Sequence, residues 1–243
     1  LSLIRLAKLK ASKTITTIFV NPLQFGKNED FKKYPRTEKI DIEKLKNENC
    51  DVLFLPDNVY EVFSNLKKVK TLDSGNLGSE LCGKIRPGHF DGVLTVVNRL
   101  FELISPDLAV FGAKDYQQQI LIKQMAKSLH PKINFIKAPI VRSKNGVALS
   151  SRNNYLSKKE LDISSNLFQC LQSSVNAYHN CKELKEILEN AKSFLKSKSL
   201  IPDYFELRDS ELNLIKNNNF TGNKVFLCSV TINNTRLIDN IEF

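Results

Sequence analysis

The sequence has no uninterrupted apolar run near the roughly 18 residues needed to cross a bilayer, so no transmembrane segment is expected. Its first residues, LSLIRLAKLKASK, are broken by charge and lack a small-residue cleavage pattern. They read as an amphipathic helix and not as a signal peptide. Histidine is scarce: His89, His130 and His179 are too far apart to form a metal cluster, so no metal-ligating residues are assigned. The five cysteines, Cys50, Cys82, Cys170, Cys181 and Cys228, are scattered and odd in number. None forms a close pair of the metal-knuckle or redox kind, which suits reduced structural thiols in a cytoplasmic protein. No basic block is interleaved with aromatic residues as single-strand binders require, and no internal repeat is present.

What remains is ordinary globular material. The chain has 243 residues, 42% hydrophobic and 26% charged, enough for one large domain or for a core domain with a smaller companion. The formal charge of +10 admits nucleic acid, anionic lipid or a phosphorylated small molecule as partner. Its lysines are dispersed, many beside asparagine on solvated helix faces, as in KELKEILENAKSFLKSKS. A phosphate-bearing ligand is therefore favoured over nucleic acid.

Periodicity predicts a helix over 1–10, a strand over 15–20, a loop over 21–36 and a helix over 38–48. A strand over 51–55, a helix over 59–66 and a weaker strand over 69–72 follow. After a glycine-containing loop come a helix over 90–104 ended by Ser105 and Pro106, a strand over 108–111, a helix over 117–129 and a strand over 133–136. Strands alternating with helices argue for a parallel sheet covered on both faces. Beyond Pro139 the pattern changes to helices over 158–178 and 182–197, then strands over 204–208, 224–232 and 235–241. The expectation is an α/β domain over 1–140 followed by a smaller α+β domain over 141–243.

Four polar clusters stand at strand ends or in loops. DLAVFGAKDYQQ (107–118) is the most informative, because an apolar run ends in Gly112 and Lys114, Asp115 and paired glutamines follow at once. In open α/β sheets ligands gather beyond the carboxyl ends of strands, where helix N-termini meet them. In FVNPLQF (19–25), Asn21 and Gln24 offer neutral donors and acceptors, or simply a capped turn. In RPGHFDGV (86–93), Arg86 could meet an anionic substrate, Pro87 and Gly88 shape a turn, and His89 reads as a helix-start residue. In ALSSRNNYLS (148–157), Ser150, Ser151 and Arg152 could grip a polyphosphate. Ser157 with Glu160 has the spacing of a capping box, and both readings of that stretch can hold.

These clusters, with YPRT (34–37) and TRLIDN (235–240), resemble the pantoate–β-alanine ligases (pantothenate synthetases) in order and spacing over essentially the whole chain. The resemblance implies a Rossmann-like nucleotidyltransferase domain with a smaller C-terminal domain, in a cytoplasmic homodimer. It implies that ATP activates pantoate as an acyl adenylate with release of pyrophosphate, that β-alanine then attacks, and that magnesium accompanies the phosphates. Carried over motif by motif, Gln24 and Gln118 hold pantoate, with Gln24 also near β-alanine. Gly112, Ala113, Lys114 and Asp115 contact ATP, as do Leu149, Ser150, Ser151 and Arg152, and Val141 meets the adenine. Lys114 and Arg152 are the catalytic pair, stabilising charge redistributed at the α-phosphate.

The family's N-terminal Pro-Thr-Met-Gly segment and His-x-Gly-His signature have no counterpart here, and LSLIRLAK resembles the helix that follows them. The expectation is an N-terminally truncated chain with very low synthetase activity as it stands. The alternative is a catalytically degenerate nucleotide- or RNA-binding protein derived from the enzyme.

Overall fold

β-Branched and aromatic residues on either side of a helix form a first parallel pair of strands, β1 (Ile15–Thr17) and β2 (Val52–Phe54), with Ile15 opposite Val52. A second parallel pair, β3 (Leu108–Gly112) and β4 (Asn134–Ala138), runs in register from Leu108 opposite Asn134 to Gly112 opposite Ala138. The computed structural model describes residues 1–27 and 29–243; Asn28, inside the loop expected over 21–36, lies outside the described residues. By its own contacts the chain divides into two units. One comprises Leu1–Ala113 and Gln117–Ala138, the other Lys114–Tyr116 and Pro139–Phe243. The change of unit thus falls at Ala138/Pro139, and three residues after β3 group with the second unit.

The helices of the first unit are α1 (Ser2–Lys8), α2 (Glu38–Asn47), α3 (Val59–Val62), α4 (Gly75–Gly78), α5 (Leu81–Ile85), α6 (His89–Ile104) and α7 (Tyr116–Leu129, from Gln117 onward). α6 carries nine buried residues. Phe90, Val93, Leu94, Val97 and Phe101 repeat at helical spacing and are all buried, each worth about 1.5–3 kcal/mol of transfer free energy. Gly88 at positive φ (77°) opens that helix and Ser105 in the left-handed region (φ 48°) closes it, ahead of Pro106. α7 buries Ile120, Leu121, Ile122, Met125 and Ala126.

Three local expectations change. Residues 69–72 form no strand: the Val69 N–H closes a 3₁₀ turn onto Leu66, and the Leu72 N–H donates to the Thr95 hydroxyl (2.9 Å). The helix begun at Val59 stops at Val62, because Phe63 is extended and Asn65 caps a new 3₁₀ turn. The loop before Arg86 holds the short helices α4 and α5, packed so tightly that a Cβ on Gly83 would stand 1.8 Å from the Gly78 carbonyl oxygen.

The second unit contains α8 (Lys158–His179), α9 (Leu184–Ser197) and an antiparallel sheet of β5 (Ile201–Asp209), β6 (Lys224–Ile232) and β7 (Thr235–Glu242), with β6 central. The capping box at the start of α8 is formed: the Ser157 hydroxyl accepts from the Glu160 N–H (3.3 Å), and the Glu160 carboxylate accepts from the Ser157 N–H (2.7 Å). Leu171, Leu195, Phe205, Leu207, Phe226 and Val230 form the fully buried heart of this unit.

Candidate functional site

In the first unit, the residues after β1 turn sharply because Asn21 caps a 3₁₀ turn over Pro22–Gln24. The Asn21 Oδ1 accepts from the Leu23 N–H (3.1 Å), so its Nδ2 faces the other way. There it donates to the Gly92 carbonyl (3.0 Å) and to the Gln24 Oε1 (3.2 Å). This commits the carbonyl side of the Gln24 amide and turns its N–H donors away from Asn21. The turn lies directly on α6: a Cβ at Gly92 would stand 2.1 Å from the Leu23 carbonyl oxygen and 2.7 Å from the Gln24 nitrogen. Only glycine permits that approach. Asn21, buried and fully engaged, is scaffold, so the capped-turn reading holds for it while half-buried Gln24 is what the turn presents.

RPGHF serves the same turn. Arg86 does not offer its charge outward as the sequence suggested, because its guanidinium forms two bonds of 2.6 Å with the Glu29 carboxylate and its side chain is only 9% exposed. Burial would raise the Glu29 carboxyl, but Arg86 outweighs it and holds Glu29 below its ordinary value. His89 is buried between the Arg86 Nη1 (2.7 Å from Nε2) and the Gln24 carbonyl (2.8 Å from Nδ1).

A cavity of about 360 Å³ lies beside this turn, lined by Phe19, Pro22, Phe31, Arg36, Asp41 and Asn58 among others, beyond the carboxyl ends of β1 and β2. At the end of β3, Gly112 completes the pairing with β4, and the Ala113 N–H donates to the Ala138 carbonyl (2.8 Å). Gln118 is half-buried in the first turn of α7. Its neighbour Gln117 is buried and binds the backbone of Leu77, Glu80 and Cys82. Of the paired glutamines, one is structural.

In the second unit, the segment 114–116 is held by the end of β7. The Asn240 Nδ2 donates to the Lys114 carbonyl (3.0 Å), and the Tyr116 hydroxyl donates to the Glu242 carboxylate (2.8 Å). Burial, joined by that carboxylate, raises the Tyr116 phenol well above its ordinary range, so it stays a donor. The Lys114 ammonium lies 3.8 Å from Asp115, whose side chain is half exposed.

Val141 opens a narrow hairpin. The Leu149 N–H donates to the Val141 carbonyl (2.9 Å), Arg142 pairs with Ala148, and Gly146 at φ 86° makes the tip. Val141 and Leu149 are exposed apolar side chains on this hairpin. Its base is pinned by Asp239, which accepts from Arg142 at 2.6 and 2.9 Å. Arg142 also lies 3.7 Å over the Phe168 ring. Burial pushes the Asp239 carboxyl above its ordinary value, with Arg142 and the Asn240 N–H opposing that shift. Directly after the hairpin, Ser150 caps a 3₁₀ turn over Ser151–Tyr155 by accepting from the Arg152 N–H (3.3 Å). Within that turn the Asn153 Oδ1 is buried with no hydrogen-bond partner among the described residues.

Sequence reasoning left out Asp239 and Asn240, although both belong to the TRLIDN stretch it singled out. An adjacent Asp-Asn pair set between the apolar residues Leu237, Ile238 and Ile241 was the available signal. Among the described residues, no group of three His, Cys, Asp or Glu is placed to hold a metal ion, and no helix is long and apolar enough to cross a membrane.

Comparison with known proteins gives a uniform result. Residues 1–242 match the family described as Pantoate-beta-alanine ligase. The pantothenate synthetase of Acinetobacter baylyi is 38% identical over 242 residues, covering 100% of this chain and 85% of that protein. That of Ectopseudomonas mendocina is 40% identical over 241 residues, covering 99% and 84%. The crystal structure of pantothenate synthetase from Thermus thermophilus superposes with a TM-score of 0.93 at 32% identity, covering 99% of this chain and 87% of that one. Pantoate-beta-alanine ligase from Francisella tularensis, complexed with beta-gamma ATP and beta-alanine, gives a TM-score of 0.82 at 30% identity, covering 99% and 83%. A match spanning both units, in sequence and in fold, shows that the chain belongs to the pantoate–β-alanine ligase family.

Proposed function

We propose that the chain condenses pantoate with β-alanine to pantothenate at the expense of ATP, through a pantoyl adenylate. A pantoate carboxylate oxygen bonds to the α-phosphorus as pyrophosphate leaves. The uncharged amine of β-alanine then bonds to the acyl carbon as AMP leaves. The carboxylate is ionised at neutral pH and needs no base for the first step.

The observation that carries this reading is the Gln24 amide, fixed by neutral partners in the turn that follows β1, with its N–H donors directed away from its own scaffold. A hydroxy acid needs such neutral partners, since an unpaired charge there would be costly to desolvate. Gln118 is its counterpart, and Gln24 also adjoins the β-alanine position.

Gly112, Ala113, Lys114 and Asp115 contact ATP, Val141 meets the adenine, and Leu149, Ser150, Ser151 and Arg152 follow the phosphates. The side chains suit that ligand: exposed apolar groups at Val141 and Leu149 for a base, and cations at Lys114 and Arg152 for phosphates. Lys114 and Arg152 stabilise charge shifting at the α-phosphate. The described residues make no metal cage, so magnesium would enter with the nucleotide phosphates as its main ligands. The Francisella relative, crystallised with beta-gamma ATP and beta-alanine, supports the same substrates. The reading includes a cytoplasmic homodimer.

The test is AMP formation that requires both pantoate and β-alanine, with pantoate-dependent pyrophosphate release as the first half-reaction. RNA affinity with a steep salt slope and no pyrophosphate release would instead select a nucleic-acid-binding derivative.

A further inference from the structure

Three side chains of the first unit form a relay that ends on the backbone of Gln24. The Glu29 carboxylate holds Arg86 through two bonds of 2.6 Å. The Arg86 Nη1 lies 2.7 Å from the His89 Nε2, and the His89 Nδ1 lies 2.8 Å from the Gln24 carbonyl oxygen. The Arg86 Nη2 approaches the same carbonyl at 3.4 Å. A guanidinium has donors only and a carbonyl accepts only. Nε2 must therefore accept and Nδ1 must carry the proton.

We propose that His89, as the Nδ1–H tautomer set by Arg86 and Glu29, is a positioning residue that fixes the Gln24 carbonyl and with it the reach of the Gln24 amide toward substrate. The inference rests on the reading of Gln24 as a pantoate-binding residue, and it assigns His89 no contact with substrate. Two constraints make the carbonyl worth fixing. Gly92 leaves no space behind the Leu23–Gln24 peptide, so the turn cannot retreat toward α6. Asn21 holds the Gln24 side-chain oxygen from the other side. The main-chain carbonyl is the remaining coordinate, and His89 closes it. Phe90, tilted 60° to the imidazole with 4.9 Å between ring centroids, packs beside the ring.

The amide side chains separate this role from simple packing. Asparagine places its N–H donor where ring Nδ1 stands, whereas glutamine reaches the position of Nε2. His89→Asn should keep the pantoate KM within about threefold of the unsubstituted chain, whereas His89→Gln should raise it at least about tenfold, the cost of one lost hydrogen bond to a half-buried carbonyl. The KM for ATP should move in neither. A second measurement needs no substrate. Long-range proton–nitrogen NMR on histidine-labelled protein at pH 7.5, with the His89 signal identified by its loss in His89→Asn, should show the proton on Nδ1. A proton on Nε2, or an imidazolium, overturns the clamp. Equal pantoate KM values for the Asn and Gln variants overturn its purpose. Absence of pantoate binding to the unsubstituted chain in titration calorimetry sinks the reading of Gln24 instead, while the tautomer still decides the clamp.

Discussion

The Asn240 carboxamide donates to the main-chain carbonyl of Lys114 at 3.0 Å, so the last strand of the chain registers a lysine 126 positions upstream. Asn240 is buried, and its own N–H is occupied by the Asp239 carboxylate at 2.8 Å. Replacing it with alanine leaves the Lys114 carbonyl without this donor, which costs about 1–3 kcal/mol. Asn240→Ala should weaken binding of a non-hydrolysable ATP analogue by about tenfold, while pantoate binding is unchanged. Titration calorimetry with each ligand would check this, and equal affinities in the two proteins would count against it.

Gly92→Ala adds a methyl group 2.1 Å from the Leu23 carbonyl oxygen, which is backbone and cannot rotate aside. Overpacking of this kind costs about 1–3 kcal/mol. For a chain of this size each kcal/mol lowers Tm by about 2–4 °C. The expected outcome is a lower Tm together with a raised pantoate KM, read by scanning calorimetry and steady-state kinetics.

Arg142→Lys keeps the charge and loses the two-pronged contact with Asp239 and the stacking on Phe168. Asp239→Ala goes further and leaves a mostly buried guanidinium without its carboxylate, a loss of about 3–5 kcal/mol. Urea unfolding should rank the proteins as unsubstituted, then Arg142→Lys, then Asp239→Ala.

The Glu29 carboxyl is held below its ordinary value in the folded chain by Arg86, against the effect of burial. Because the folded value is the lower one, the pair's contribution is complete above the unfolded glutamate pKa of about 4.3 and disappears as pH falls through the folded value. The stability difference between the unsubstituted chain and Glu29→Gln should be constant above about pH 5 and shrink as the pH falls below the unfolded value of about 4.3. Urea midpoints measured across that range would show it.

All five cysteines are free thiols, with Cys181 exposed, Cys50 half-buried and Cys82, Cys170 and Cys228 buried. Burial pushes the Cys170 thiol up to about 12 and Cys228 well above its ordinary value. A disulfide-exchange reagent should therefore modify Cys181 first and Cys50 more slowly, and reach the other three only in denaturant.

The sequence was most legible where one local interaction decides the outcome. Ser157 with Glu160 started α8, Ser105 with Pro106 ended α6, and the β-branched run at 224–232 became β6 without change of limits. It was least legible where a distant partner decides. Nothing near Val69–Leu72 announces that the Leu72 N–H will bond to Thr95 and not to a strand. Arg86 reads as an anion site until Glu29, 57 residues away, is brought against it. Gln117 and Gln118 are indistinguishable as letters, and only the packing of α4 and α5 against α7 makes the first of them scaffold.

The contact at Gly92 ties the turn that presents Gln24 to a helix with nine buried residues. The Leu23 amide is bonded to the Asn21 side chain, and its carbonyl is packed on that helix, so the turn cannot settle further toward it. Its hydrogen exchange should accordingly be slower than that of the exposed amides on either side of the turn.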